Sequence, residues 1–224
     1  MSRAEIEIQK MWRIFPVGES SILELRALPP KGMQPKKYPV TKQFRAANFE
    51  NVDACKRAFE REALRLNALG YNVYIVMNPI RADFSGTSAG DDDMAYRALI
   101  LIDLDRAGKK NDPATDAEIE TARLVANKIK SGLSERGFSD SLRVMSGNGH
   151  HLYYVLKDVP NTPEATAAVQ QLLHNLAAKF DSDTCKVDTA VFNASRITKV
   201  PGTVMRKGVE SEGRPYRMAV VYEE

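Results

Sequence analysis

ALILIDLD (98–105) is an unbroken apolar run that ends in two acids separated by one leucine. Such a run predicts a strand covered on both faces, as at the centre of a sheet. Residues two apart on a strand project to the same side, so Asp103 and Asp105 are expected side by side where the strand leaves the core. Two adjacent carboxylates repel each other, and their usual compensation is a divalent cation. Hard oxygen ligands suit Mg²⁺ or Mn²⁺. A pair of such ions about 3.5–4 Å apart can activate a 3′-hydroxyl and neutralise a leaving pyrophosphate. The plainer reading is a solvated loop start whose acids pair with Arg106 and Lys109.

Upstream of this run, Asn72–Met77 (NVYIVM) reads as a strand ended by Asn78-Pro79, and the polar Arg81–Asp93 stretch as a mobile loop. Ser21–Ala27 (SILELRA) alternates as a half-buried strand, after an opening helix-like segment. Pro29, Pro30, Gly32 and Pro35 break the chain, and Val52–Leu69 has helical spacing with Gly70 as its stop. Downstream, Thr115 and Glu118 form a capping box for a helix of about five turns running toward Gly137. Leu142–Ser146 and His151–Leu156 are two strands joined by Gly147-Asn148-Gly149. Thr162-Pro163 opens a helix to about Phe180, and Val187 to Tyr222 reads as strands and turns. The order predicts an α+β fold, with a small N-terminal αβ lobe (about 1–95) packed on an RRM-like antiparallel sheet with helices (about 96–224).

The composition is that of a globular protein: 224 residues, 43% hydrophobic and 27% charged. A net charge of +3 permits a polyanionic partner without demanding one. Cys55 and Cys185 are too few for a disulfide framework or a zinc ribbon and read as buried thiols in a reducing cytoplasm. MSRAEIEIQK lacks the apolar core of a signal peptide, and no run approaches a membrane span, so a soluble cytoplasmic protein is expected.

Three further features bear on chemistry. Asp188, in CKVDTAVFN, could bring a single acid from another part of the sheet; a turn or cap role is the ordinary reading of a lone Asp. In Ser146-Gly147-Asn148-Gly149-His150-His151, glycines let the backbone approach a phosphate, and adjacent amides can form an anion nest. Asn-Gly is also a favoured hairpin turn, which accounts for the central residues but not for the flanking Ser146 and His151. Adjacent strand residues point to opposite faces, so His150 and His151 are poorly placed to share a metal. That argues against zinc and against a HUH-type nickase. From Lys186 onward, Arg196, Lys199, Arg206, Lys207, Arg214 and Arg217, interleaved with Phe192 and Tyr216, form a basic stripe suited to a triphosphate or a template, unless they simply form a solvated face.

Taken in order, YIVMNPI (74–80), LILIDLDRAG (99–108), TDAEI (115–119), SGNGHHLYY (146–154), VDTAVFNASRITKVPGTVMRKG (187–208) and RPYR (214–217) resemble the primase-polymerase domains of phages, plasmids and CRISPR-associated loci, members of the archaeo-eukaryotic primase superfamily. The likeness runs from about Leu23 to Arg217. It implies a template-dependent nucleotidyltransferase that makes and extends primers by a two-metal mechanism. Asp103, Asp105 and Asp188 would be catalytic and hold the two Mg²⁺ or Mn²⁺ ions. Ser146, Asn148, His151, Arg196, Lys199 and Lys207 would bind the nucleotide, with Arg206 near triphosphate or template and no role for His150. The implied partners are a single-stranded DNA template and primer, dNTPs or NTPs, and a helicase or accessory domain outside this chain. A repair or end-joining polymerase that does not prime, a metal-dependent nuclease, and a non-catalytic nucleic-acid-binding module stay open as alternatives.

Overall fold

The computed structural model describes residues 1–32, 35–108, 111–139 and 141–222. The apolar run forms the long strand β4 (Tyr96–Arg106), and α+β is the observed class. It is preceded by α1 (Arg3–Lys10), β1 (Ile22–Leu28), β2 (Val40–Arg45), α2 (Val52–Ala68) and β3 (Asn72–Val76). It is followed by α3 (Asp116–Ser134), β5 (Leu142–Met145), β6 (Gly149–Pro160), α4 (Pro163–Phe180), β7 (Cys185–Val187), β8 (Ile197–Lys199), β9 (Val204–Met205), β10 (Arg217–Met218) and β11 (Val220–Tyr222).

Two antiparallel sheets share one core. The first has the order β2-β1-β3-β8 and the second β11-β5-β6-β4-β7. The lobes anticipated at 1–95 and 96–224 therefore exchange a strand: β8, from the C-terminal part, forms the edge of the N-terminal sheet. Helix α2 covers the first sheet, while α3 packs on β4 and β6 and α4 on β7. Leu25, Val73 and Ile75 of the first sheet belong to the same apolar cluster as Leu101, Ile102 and Tyr153 of the second.

The caps legible in the sequence are present. Thr115 and Glu118 make a reciprocal capping box at α3, and Thr162 caps α4 with Pro163 in its first turn. Gly70 and Gly137 follow their helices with φ of +92° and +82°. The hairpin is longer than its pattern suggests, since β6 extends to Pro160.

The expectation of a mobile loop at 81–93 is overturned, because the segment is fastened to the first sheet. Glu24, fully buried on β1, accepts hydrogen bonds from the Ala89 amide at 3.0 Å, from Gln43 and from Arg26. Arg45 donates to the Phe84 carbonyl. Ile80, Phe84, Ala89 and Met94 form a small apolar cluster with Ile22, Val76 and Ala194. Its polar composition reports only that the loop touches water; the buried carboxylate, Phe84 and Ala89 within the loop, and Ile80 and Met94 at its two ends decide that it is held.

Candidate active site

The antiparallel register of β4 against β6 sets the site. Asp103 faces His151, Leu104 faces His150 and Asp105 faces Gly149. Directly opposed residues share a face, so Asp103, Asp105 and His151 line one side of the sheet. Leu104 and His150 lie on the other side and are fully buried. Gly149 permits the close pairing: a Cβ there would overlap the Leu104 carbonyl oxygen, between the two aspartates.

His151 is held from behind. Its Nδ1 lies 2.9 Å from Tyr153 Oη, and Tyr153 Oη lies 2.5 Å from Thr198 Oγ1 on β8. Nε2 is then turned to Asp103, 3.4 Å from Oδ1. Burial raises the Tyr153 phenol well above its ordinary range, so it acts as a neutral hydrogen-bonding group. Tyr153 is two residues from His151 and shares its face, a relation readable from spacing; Thr198 comes from a distant segment and is not.

Asp188 directly follows β7, whose Val187 pairs with Leu104. Its amide donates to the Asp103 carbonyl at 2.8 Å, which joins the third acid to the first through backbone. Its Oδ1 also accepts from the Ala190 amide at 2.8 Å, so the ordinary turn role and the convergence with Asp103 coexist.

All nine site residues predicted from the sequence line a single cleft between the two sheets, with a cavity volume of about 280 Å³. They are Asp103, Asp105 and Asp188 with Ser146, Asn148, His151, Arg196, Lys199 and Lys207. Leu28, Tyr74, Leu101, Val191 and Met205 give it an apolar wall that the sequence reading did not assign. Burial, with the nearby Asp103 carboxylate, pushes the Tyr74 phenol up to about 12.

Several expectations need correction in detail. Gly147 has φ +105°, but its amide donates to Met145 Sδ at 3.0 Å, so that amide is not part of an open anion nest. Lys199 is almost fully buried and its ammonium donates to Thr203 Oγ1 at 2.7 Å. Burial, with Arg206 nearby, holds its pKa well below the usual lysine value, so it is a poor permanent cation for a phosphate. The basic stripe divides. Arg214 pairs with Glu118 at 3.0 Å and Arg217 with Asp116 at 2.7 Å, clasping the start of α3. Arg106 also pairs with Glu118, at 2.9 Å, rather than with the aspartates beside it; Lys109 lies outside the described residues. Burial opposes ionisation of Glu118, but the Thr115 amide and the two arginines outweigh it and hold the carboxyl down at about 2. Asn78, read only as the end of a strand, is buried and tied: its Oδ1 accepts from the Ala98 and Leu99 amides at a bulge in β4, and its Nδ2 donates to the Ala194 carbonyl.

His150 has both ring nitrogens buried without a hydrogen-bond partner. Burial, reinforced by Arg143, pushes its pKa down to about 3 from 6.5. Its folded pKa lies below its unfolded one, so on acidification the unfolded chain takes up the proton first and stability falls from about pH 6.5 toward pH 3. At pH 5 this group alone should cost about 2 kcal/mol. Denaturant unfolding at pH 7 and pH 5 should show that loss in the wild type, and His150→Leu should remove most of it; equal losses in both proteins would assign the acid sensitivity elsewhere.

In donor chemistry the cleft suits a hard divalent cation, because Asp103, Asp105 and Asp188 offer only oxygen. Among the described residues no three His, Cys, Asp or Glu side chains stand close enough to form a ready-made cage. The cleft also carries donors suited to an anion: Asn148 Nδ2 and Arg196 Nε are buried without a protein partner.

No protein-family model matches the sequence, and no curated protein matches it. Solved structures do match. The archaeo-eukaryotic primase domain of cyanophage S-2L primase-polymerase superposes with a TM-score of 0.56 at 16% identity, covering 97% of this chain and 89% of that one. The chain has a primase-polymerase fold. That fold also relates it to primase RepB′ (TM-score 0.54, 14% identity), of which it spans 56% while 99% of this chain is covered. The polymerase domain of Mycobacterium tuberculosis ligase D, solved in complex with DNA, matches with a TM-score of 0.53 at 14% identity, covering 91% of this chain and 76% of that one. Within the primase-polymerase fold, the cleft between the sheets gathers the residues that the sequence resemblance singles out. Among the described residues no helix is long and apolar enough to cross a membrane.

Proposed function

We propose that the chain is a template-dependent nucleotidyltransferase, a DNA primase-polymerase acting on single-stranded DNA with dNTPs or NTPs. The observation that carries this reading is the convergence of three acids, two on β4 and one just after β7, with six polar or basic residues on one cleft. Asp103, Asp105 and Asp188 would hold Mg²⁺ or Mn²⁺. When bound, these ions supply neutralisation of the triphosphate and acidification of the attacking hydroxyl.

The chain itself supplies positioning. Arg196 and Lys207 offer charge to the phosphates, and Ser146 and Asn148 offer shorter polar contacts from the hairpin. His151, fixed by Tyr153 and Thr198, presents Nε2 beside Asp103, where it can donate to a phosphate oxygen or hold the carboxylate in place. No side-chain nucleophile is required, since a nucleotide hydroxyl attacks phosphorus and pyrophosphate leaves.

The test is product formation on a gel: purified protein, single-stranded DNA, Mn²⁺ or Mg²⁺, and dNTPs or NTPs, with and without a primer. Products on unprimed template support priming. Extension of primed template alone would favour a polymerase that does not prime. Metal-dependent degradation without synthesis would replace the proposal with a nuclease. Within the same assay, His151→Ala should raise the KM for nucleotide roughly tenfold, the loss of one hydrogen bond to a charged group. Tyr153 and Thr198 keep each other as partners, so stability should change little. Unchanged kinetics would remove His151 from the site.

A further inference from the structure

The segment between β7 and β8, residues 188–196, carries Asp188 at one end and Arg196 at the other, and both line the cleft. It is a series of turns without helix or strand, so ties from outside must fix its shape. Three residues preceding or within β4 supply them. Asn78 donates to the Ala194 carbonyl at 2.8 Å, and Arg97 donates to the Phe192 carbonyl at 2.9 Å. Both are buried and also serve the core, since Asn78 caps the β4 bulge and Arg97 reaches Thr166 of α4.

The third tie is Asp91, at the end of the fastened 81–93 loop. Its Oδ1 accepts from the Ser195 amide at 2.7 Å, from Ser195 Oγ at 2.7 Å and from Asn193 Nδ2 at 3.3 Å. Its own carbonyl accepts from Asn161 Nδ2 at 2.7 Å, at the turn into α4. Partial burial opposes its ionisation, but the Ser195 and Asn193 donors outweigh it and hold the carboxyl below the usual range, so Asp91 is an anion under ordinary conditions. Among the described residues, every hydrogen bond its side chain accepts from another element comes from this one segment. The adjoining Arg196 folds back, its amide donating to the Asn193 carbonyl and its Nη2 to the Ala190 carbonyl. The hydrogen bonds at Asn193 and Ser195 thus set where the Arg196 guanidinium starts.

We infer that Asp91 is a positioning residue, which acts through Asn193 and Ser195 to hold Arg196 in place for the phosphates of the incoming nucleotide. The inference rests on the nucleotidyltransferase reading. Asp91 lines no part of the cleft itself, and its effect should pass entirely through the segment it clamps.

The experiment is a double-mutant cycle on primer extension with the full chain, using Asp91→Ala, Asp91→Asn, Arg196→Ala and Asp91→Ala/Arg196→Ala. Asp91→Ala should raise the KM for nucleotide about five- to twentyfold and leave kcat within about twofold. Asp91→Asn keeps an oxygen acceptor for Ser195 and should recover most of the loss. The double variant should be no worse than Arg196→Ala alone, because the clamp has nothing left to position. Unchanged KM in Asp91→Ala, or losses that multiply in the double variant, would overturn the inference while leaving the polymerase reading intact. If the wild type synthesises nothing, that reading fails by itself. Amide exchange then decides separately: faster exchange in Asp91→Ala confined to residues 188–196 supports the clamp, and unchanged exchange there refutes it.

Discussion

Asp103→Ala should abolish primer synthesis, by at least about a thousandfold, while leaving the fold intact. Several kcal/mol of transition-state stabilisation depend on a carboxylate that can hold a divalent ion, and each 1.36 kcal/mol is worth about tenfold in rate. Folding depends on this residue chiefly through its backbone. The pairing of its strand is backbone and its carbonyl receives the Asp188 amide, while its carboxylate stands at the cleft surface 3.4 Å from His151 Nε2. Removing one of several neighbouring anions also relieves repulsion. The unfolding midpoint should therefore move by no more than the equivalent of about 1 kcal/mol. Synthesis at the wild-type rate by a folded Asp103→Ala protein would exclude the metal-site assignment, and template binding that survives in it unaltered, with no activity in the wild type, would favour a non-catalytic binding module.

Gly149→Ala should be as damaging by a different route. The added methyl would overlap the Leu104 carbonyl oxygen, an atom of the interior strand β4, which has β6 on one side and β7 on the other. Neither neighbour can retreat without breaking a ladder, so the overlap should cost roughly 2–4 kcal/mol. It also lies between Asp103 and Asp105 and opposite the turn that carries Ser146 and Asn148, so the surviving folded fraction should have lost most of its activity. A denaturant melt read beside the extension assay separates the two effects. A variant with wild-type stability would show that β4 and β6 do not pair this closely at Gly149.

Neighbouring glycines illustrate how differently such positions read from sequence. Gly147 and Gly149 look like interchangeable turn residues in GNG. In the structure the first is required by its positive φ and by Met205 of β9 against it, the second by a carbonyl of the partner strand. Only the second reason involves Asp103 and Asp105, and pairing across strands is not written in local sequence.

The chain by itself determined most of its elements and singled out residues that the fold brings to one cleft. The run 98–102 demanded a buried strand, period-two spacing placed Asp103 and Asp105 together, and the capping residues Thr115 and Thr162 marked where α3 and α4 begin. Adjacent His150 and His151 had to part to opposite faces for the same reason. These are short-range consequences of backbone geometry, which act within a few residues.

Tertiary structure decided the rest. It moved β8 to the N-terminal sheet, which brought Thr198 behind His151 and buried Lys199, an outcome that no Lys in a polar stretch announces. It turned Arg214 and Arg217 from a basic stripe into a clasp on α3, because the carboxylates they meet are about a hundred residues away in the chain. It fastened the polar 81–93 loop through a buried Glu24, and set Asp91 against Ser195. A charged side chain states in sequence only that it needs water or a partner; which of the two it receives depends on what the fold brings within about 3 Å of it.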